Sequence, residues 1–216
     1  MTQTPATEPA TTEPATTKVE FWFDPACPWA WMTSRWIDEV ARQREGLDVT
    51  WHVMSLALLN GYDDPESPKR ARYAPLHLVT AVGAGIGAEL GNDALKRFYD
   101  EMGRRNHNEG REGEDGLLAE ALEAAQVPDG LLERAEAGEF DEVLRESHER
   151  GMALVGEDVG TPIISVNGVA FFGPVISPAP KGETALQLFD GIVAAAGYDG
   201  FFELKRSRTR EPEFDA

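Results

Sequence analysis

Between residues 18 and 46 the chain changes its hydrophobic period once, and two prolines mark the change. Residues 18–23, KVEFWF, combine β-branched and aromatic residues in a run of strand length. Asp24 and Pro25 break that run. Pro28 suits the first turn of a helix, where a missing N–H leaves no bond unmade. From Trp29 the chain reads WAWMTSRWIDEVARQRE, with Met32, Trp36, Ile37 and Val40 on one helical face and Gly46 as the stop. Residues 48–54, DVTWHVM, form a second predicted strand. Strand, tight turn, helix and strand in this order leave few arrangements open, and they carry Cys27 to the helix entrance.

The middle has another character. Stretches such as DALKRFYDEMGRR, GLLAEALEAAQ and EFDEVLRESHERGMALV favour helix, with breaks at Gly91, Gly116, Pro128 and Gly138. Strand character returns at residues 162–173, PIISVNGVAFFG, where Asn167-Gly168 between two apolar runs signals a hairpin. A last helix is expected over 183–196, followed by FFELKRSRTR. This order predicts an α/β protein, a thioredoxin fold with an all-helical domain inserted in the middle. The expected parts are a thioredoxin-fold domain from 18–60 and 156–205, a helical insertion over 61–155, and a C-terminal tail over 206–216. The repeated pentad TEPAT cannot bury enough apolar surface to offset ordering entropy, so residues 1–17 are expected to be disordered. Such a fold needs a proline facing the active site at the start of its third strand, and Thr161-Pro162 stands there, an X–Pro bond expected to be cis.

Composition narrows the function. A formal net charge of −18 disfavours nucleic acid, whose binding rests on phosphate neutralisation, and disfavours an anionic membrane surface equally. The N-terminal residues show neither a basic start nor an apolar run, and no stretch approaches the roughly 20 apolar residues of a membrane span. A cytoplasmic protein is expected, and composition leaves monomer or homodimer open. No two of the four histidines stand at i, i+3 or i, i+4, so no metal site is expected.

Cys27 is the single cysteine of 216 residues, which rules out an internal disulfide. Free thiols, with pKa near ~8.5, react as thiolates. A helix N-terminus offers unpaired N–H groups and a positive dipole end that can lower that value. Cys27 meets this requirement and is expected to be a reactive nucleophile; a lone cysteine can also be a small packed hydrophobe. A dithiol oxidoreductase would place its second thiol at residue 30, and here Ala30 completes a CPWA motif. A mixed disulfide on Cys27 would therefore need an external thiol to resolve it.

FWFDPACPWAWMTSRW, VMSLALLN, GEDVGTPIISVNGVAFFGPV and FFELKRSRTR together resemble the actinobacterial mycothiol-dependent nitroreductase family, within the DsbA-like and hydroxychromene-carboxylate isomerase-like proteins. The similarity spans roughly residues 18–210 and is thin between 61 and 150, where RRNHNEG matches best. The resemblance implies mycothiol as co-substrate, a low-molecular-weight thiol acting with a small electrophilic, disulfide or nitro-aromatic substrate. It implies Cys27 as nucleophile, Pro28, Trp29 and Ala30 as the rest of the motif, Thr161 and Pro162 as the cis-proline element, and Asn60 as a substrate-pocket residue. Dithiol members carry CPWC, so Ala30 is the departure. Two rivals stay open: a thiol transferase or isomerase of the kappa-glutathione-transferase or hydroxychromene-carboxylate isomerase type, and a non-catalytic binding or chaperone-like protein.

Other residues have competing readings. Trp29 and Trp31 could form an aromatic wall for a flat substrate, and Trp31 suits the core as well, with Trp36 and Trp51. Tyr62 and Tyr73 are both near the position of a family pocket tyrosine. His107 could assist proton transfer or sit at a helix end or surface; His52, His77 and His148 read as structural. GAGIGA, residues 83–88, fits a dinucleotide fingerprint, but no strand–helix frame follows, so a tight helix–helix approach explains it better. The basic residues Lys205, Arg206, Arg208 and Arg210 read as a solvated tail or as a contact for an anionic substrate or partner.

Overall fold

A computed structural model describes residues 16–156 and 158–214. The disorder expected for the TEPAT repeat therefore lies outside the described residues, apart from Thr16 and Thr17. Thr17 already belongs to the first strand, β1 (Thr17–Phe23), which starts one residue before its predicted boundary. Helix α1 (Pro28–Gln43) follows, with Pro28 at its first position and Cys27 as its N-cap. It stops before the predicted Gly46, which sits at φ +74° in the turn into β2 (Leu47–Val53).

The sheet has the order β2-β1-β3-β4, with β3 spanning Ile163–Val166 and β4 Val169–Phe172. β1 runs parallel to β2 and antiparallel to β3; β3 and β4 pair antiparallel. Asn167 and Gly168 join the last two at φ +51° and +89°, the doubly positive backbone of the tight hairpin turn their sequence signals. Alternation splits β1 between two cores. Val19, Phe21 and Phe23 join the main core under α1 and the middle helices. Trp22 packs on the other side with Met54, Met152 and Ile163.

The middle of the chain is helical, as its composition predicts: α2 (Leu56–Leu59), α3 (Arg70–Leu90), α4 (Asn92–Gly103), α5 (Leu117–Ala124), α6 (Leu131–Glu136) and α7 (Asp141–Val155). Helix α8 (Gly182–Ala196) lies against α1, where the Trp36 indole donates to the Ala185 carbonyl at 2.9 Å. The glycines of GAGIGA are inside α3, and a Cβ on Gly85 would come within 2.6 Å of the Phe140 ring. A close helix approach, rather than a nucleotide loop, accounts for that motif.

Between α4 and α5 the helix widens into a π-helical turn over Arg104–Asn108, a form frequent at functional sites. Gly103 brings this turn against α1, because a Cβ there would lie 2.2 Å from the Trp31 ring. Gly103→Ala is expected to destabilise the protein by about 1–3 kcal/mol through overpacking. Chemical denaturation checks this, and a wild-type midpoint would contradict the contact.

Candidate active site around Cys27

Cys27 is the point where α1 begins. Its Sγ accepts a hydrogen bond from the Ala30 N–H at 3.4 Å, as an N-cap side chain should, and its thiol donates to the Thr161 carbonyl at 3.5 Å. Thr161 precedes Pro162 through a cis bond, and its hydroxyl donates to the Trp22 carbonyl of β1 at 3.0 Å. Thus residues 134 positions apart in the chain meet across the sulfur. Pro28, Trp29 and Ala30 occupy the first turn of α1, with Ala30 buried and Trp29 half-buried.

The helix entrance was expected to lower the thiol pKa, and here the structure differs. Burial pushes Cys27 from 9.0 up to about 11, against the downward pull of the Ala30 and Trp29 N–H groups. Asp24 also raises it, and Arg208 lowers it. Cys27 is only 6% exposed, so the dipole cannot replace the water a thiolate has lost. At rest the sulfur is a thiol that donates its S–H to the Thr161 carbonyl.

The turn that carries Cys27 is held from two sides. The buried Asp24 carboxylate accepts from Ala26 N at 2.9 Å and from Leu56 N at 2.7 Å, tying the turn to α2. Burial raises its pKa to about 6, so it is ionised at neutral pH. From the π-helical turn, Asn106 donates to the Pro25 carbonyl at 3.3 Å and His107 at 3.0 Å. Burial lowers His107 to about 4. Neutral and bonded to Pro25 through Nε2, it lies buried near the end of the π-helical turn, which fits the helix-end reading and not the surface one. Asn108 accepts from the Trp31 indole at 3.0 Å, which fixes the same turn to α1.

Asn60 lies at the end of α2, four residues from the backbone N–H that Asp24 holds. Its side-chain amide donates to the Leu56 carbonyl at 2.7 Å, within its own helix. Tyr62 turns away onto His77, with ring centroids 4.0 Å apart, and Tyr73 lies on α3. Trp31, Trp36 and Trp51 are buried, as core residues should be.

Three contributors lie outside the motif readings. Asp24 was visible only as a strand breaker, although an acidic residue directly after FWF in a buried turn is a signal in itself. Asn106 is hidden in a polar run. Arg208 stands in the C-terminal segment, and its guanidinium carbon lies 5.1 Å from the centre of the Trp29 ring. That segment is consequently more than a solvated tail. Among the described residues, no group of three or more His, Cys, Asp or Glu side chains could hold a metal ion, and no helix is long and apolar enough to cross a membrane.

Comparison with known proteins gives the family and the fold. The family model described as Rv2466c-like, mycothiol-dependent nitroreductase Rv2466c, matches residues 26–206. The uncharacterized protein Rv2286c of Mycobacterium tuberculosis is 30% identical over 198 residues, covering 89% of this chain and 83% of that protein. Among solved structures, the probable DsbA oxidoreductase SCO1869 from Streptomyces coelicolor aligns with a TM-score of 0.58 at 16% identity, over 93% of this chain and 97% of that one. The cytosolic disulfide reductase DsbM from Pseudomonas aeruginosa, solved with GSH, aligns at 0.51 and 18% identity, over 82% and 99%. These two likenesses establish the DsbA-like thioredoxin fold. On the family match, the chain belongs to the Rv2466c-like family and is a thiol-dependent oxidoreductase.

Proposed function

We propose that this protein is a mycothiol-dependent thiol–disulfide oxidoreductase or nitroreductase that works through Cys27 alone, in the cytoplasm. One observation carries the reading: the single thiol of the chain sits at the N-cap of α1, within hydrogen-bond reach of the Ala30 N–H and the Thr161 carbonyl, with Ala30 where a second thiol would stand. The family description supplies mycothiol as the thiol, and the DsbM structure with GSH supports a small thiol as partner on this fold.

On a disulfide the cycle has two exchanges. The Cys27 thiolate attacks one substrate sulfur, a Cys27–S bond forms, the substrate S–S bond breaks, and the departing thiolate takes up a proton. An external mycothiol thiolate then attacks the substrate half of the mixed disulfide, and Cys27 leaves as the thiolate. A high thiol pKa affects both steps. Thiolate is scarce but intrinsically more nucleophilic, and Cys27 is the poorer leaving group, so the mixed disulfide should be long-lived. Trp29, half-buried two positions after Cys27, offers an aromatic face to a flat substrate, and Pro28, Pro162 and Asn60 are the further candidate contacts.

One observation favours a second reading. A thiol with pKa of about 11 is poorly ionised at neutral pH, which suits a transferase or isomerase in which a bound external thiol does the chemistry. Turnover of Cys27→Ser separates the two: loss of activity by at least about a hundredfold is expected here, whereas the rival tolerates the change.

Intact mass after incubation with mycothiol disulfide, with glutathione disulfide in parallel, tests the proposal. One mycothiol adduct is expected, removed by excess reduced mycothiol and absent from Cys27→Ser. No adduct from either disulfide, with Cys27 alkylated only after unfolding, would make the cysteine a packing residue. The pH dependence follows from the raised pKa: below about 11 the thiolate fraction grows with pH. Alkylation of Cys27 by iodoacetamide should accelerate about tenfold per unit from pH 7 to 9. A rate already flat above pH 7 would contradict it.

A further inference from the structure

The last described stretch of the chain has no regular secondary structure, yet it is anchored at both ends. Upstream, the Phe201 ring meets Phe171 of β4 edge-on, with centroids 5.8 Å apart. Downstream, the Ser177 hydroxyl donates to the Glu211 carbonyl and accepts from Glu213 N, both at 2.9 Å. Asn108 donates to the Phe214 carbonyl at 3.2 Å, and the Phe214 ring stacks on His107 at 5.5 Å. The strap therefore runs from the edge of the sheet to the π-helical turn that braces Pro25.

Between the anchors lie the four basic residues. Arg210 pairs with Glu213 at 3.5 Å. Arg208 meets no carboxylate within ion-pair reach among the described residues and rests over Trp29, two positions after Cys27. An aromatic face attracts a guanidinium without neutralising it. A full positive charge is thus kept over the Trp29 ring, near enough to Cys27 to pull its pKa down, in a chain with net charge −18.

We propose that Arg208 is the electrostatic partner of the Cys27 sulfur, carried across the active-site face by the C-terminal strap to stabilise the thiolate that leaves a mixed disulfide. The inference rests on the reading of Cys27 as the redox cysteine. In the step concerned, the external thiolate bonds to the substrate sulfur, the bond from that sulfur to Cys27 breaks, and the electron pair remains on Cys27. The other groups facing that charge do not supply a cation. Asp24, in the turn after β1, is anionic and opposes it. Tyr99 on α4 is kept protonated by burial, and His107 is neutral above about 4. The Ala30 and Trp29 N–H groups help as dipoles, and Arg208 adds the positive charge.

The test is the rate of Cys27 alkylation by iodoacetamide in the full chain, between pH 7 and 9, for wild type, Arg208→Gln and Arg208→Lys. Arg208→Gln should react about three- to tenfold more slowly at each pH, and Arg208→Lys should stay within about twofold of wild type. Raising salt from about 0.02 to 0.5 M should bring the ratio of wild-type to Arg208→Gln rates toward one. Superimposable rates for wild type and Arg208→Gln would overturn the proposal. If Arg208→Gln does not fold, Arg208→Met takes its place in the same comparison, and rates superimposable on wild type overturn the proposal. No mycothiol is used, so the outcome is separate from the mycothiol adduct: the adduct can form with Arg208 idle, and Arg208 can speed alkylation where mycothiol does not react.

Discussion

The sulfur of Cys27 lies between two backbone groups that act on its proton in opposite senses. The Ala30 N–H, at the first turn of α1, favours the thiolate; the Thr161 carbonyl, beside Pro162, accepts the thiol's proton. Both groups must be held to within a few tenths of an ångström for this balance to exist, and much of the surrounding structure does that. Thr161 is tied to β1 through the Trp22 carbonyl. The turn from β1 into α1 is gripped by Asp24 toward α2, and by Asn106 and His107 toward the π-helical turn. The helical middle of the chain thereby has a direct part in the site: it supplies the donors that fix the Pro25 carbonyl, two residues before the cysteine.

Burial and the helix terminus compete at this point, and burial wins. The N–H groups at the start of α1 are in place, but a sulfur this enclosed loses more from dehydration than they return. The result is a cysteine that rests as a thiol. Ala30 then determines the rest of the cycle. A neighbouring thiol would resolve a mixed disulfide within the protein at high effective concentration. With an alanine there, the lifetime of that intermediate depends on an outside thiol, and on whatever eases departure of the Cys27 thiolate.

Local chemistry was legible in the sequence, and long-range chemistry was not. Pro28, the aromatic run before Asp24, the Asn167-Gly168 turn and the glycines of GAGIGA each act through near neighbours or a simple steric rule, and their readings match the elements found. Thr161-Pro162 could be paired with Cys27 only because the order of elements implied a fold in which the two meet. His107 shows where such inference stops. Its residue type suggests proton transfer, whereas the contact it makes is to a carbonyl 82 positions earlier, which no local pattern reveals. Arg208 is similar: nothing local distinguishes it from Arg206 or Arg210, and only the path of the strap places it over Trp29. The direction of the Cys27 shift was also out of reach, because it depends on how much of the protein closes over the sulfur.

The central claim is that Cys27 acts as a single thiol whose mixed disulfide is resolved from outside. The most direct measurement is the single-turnover decay of the isolated Cys27–substrate mixed disulfide, followed by rapid quench and mass at a series of mycothiol concentrations. The account requires a rate proportional to mycothiol, passing through zero when none is added. A finite decay rate at zero mycothiol, or no decay at any concentration, would contradict it.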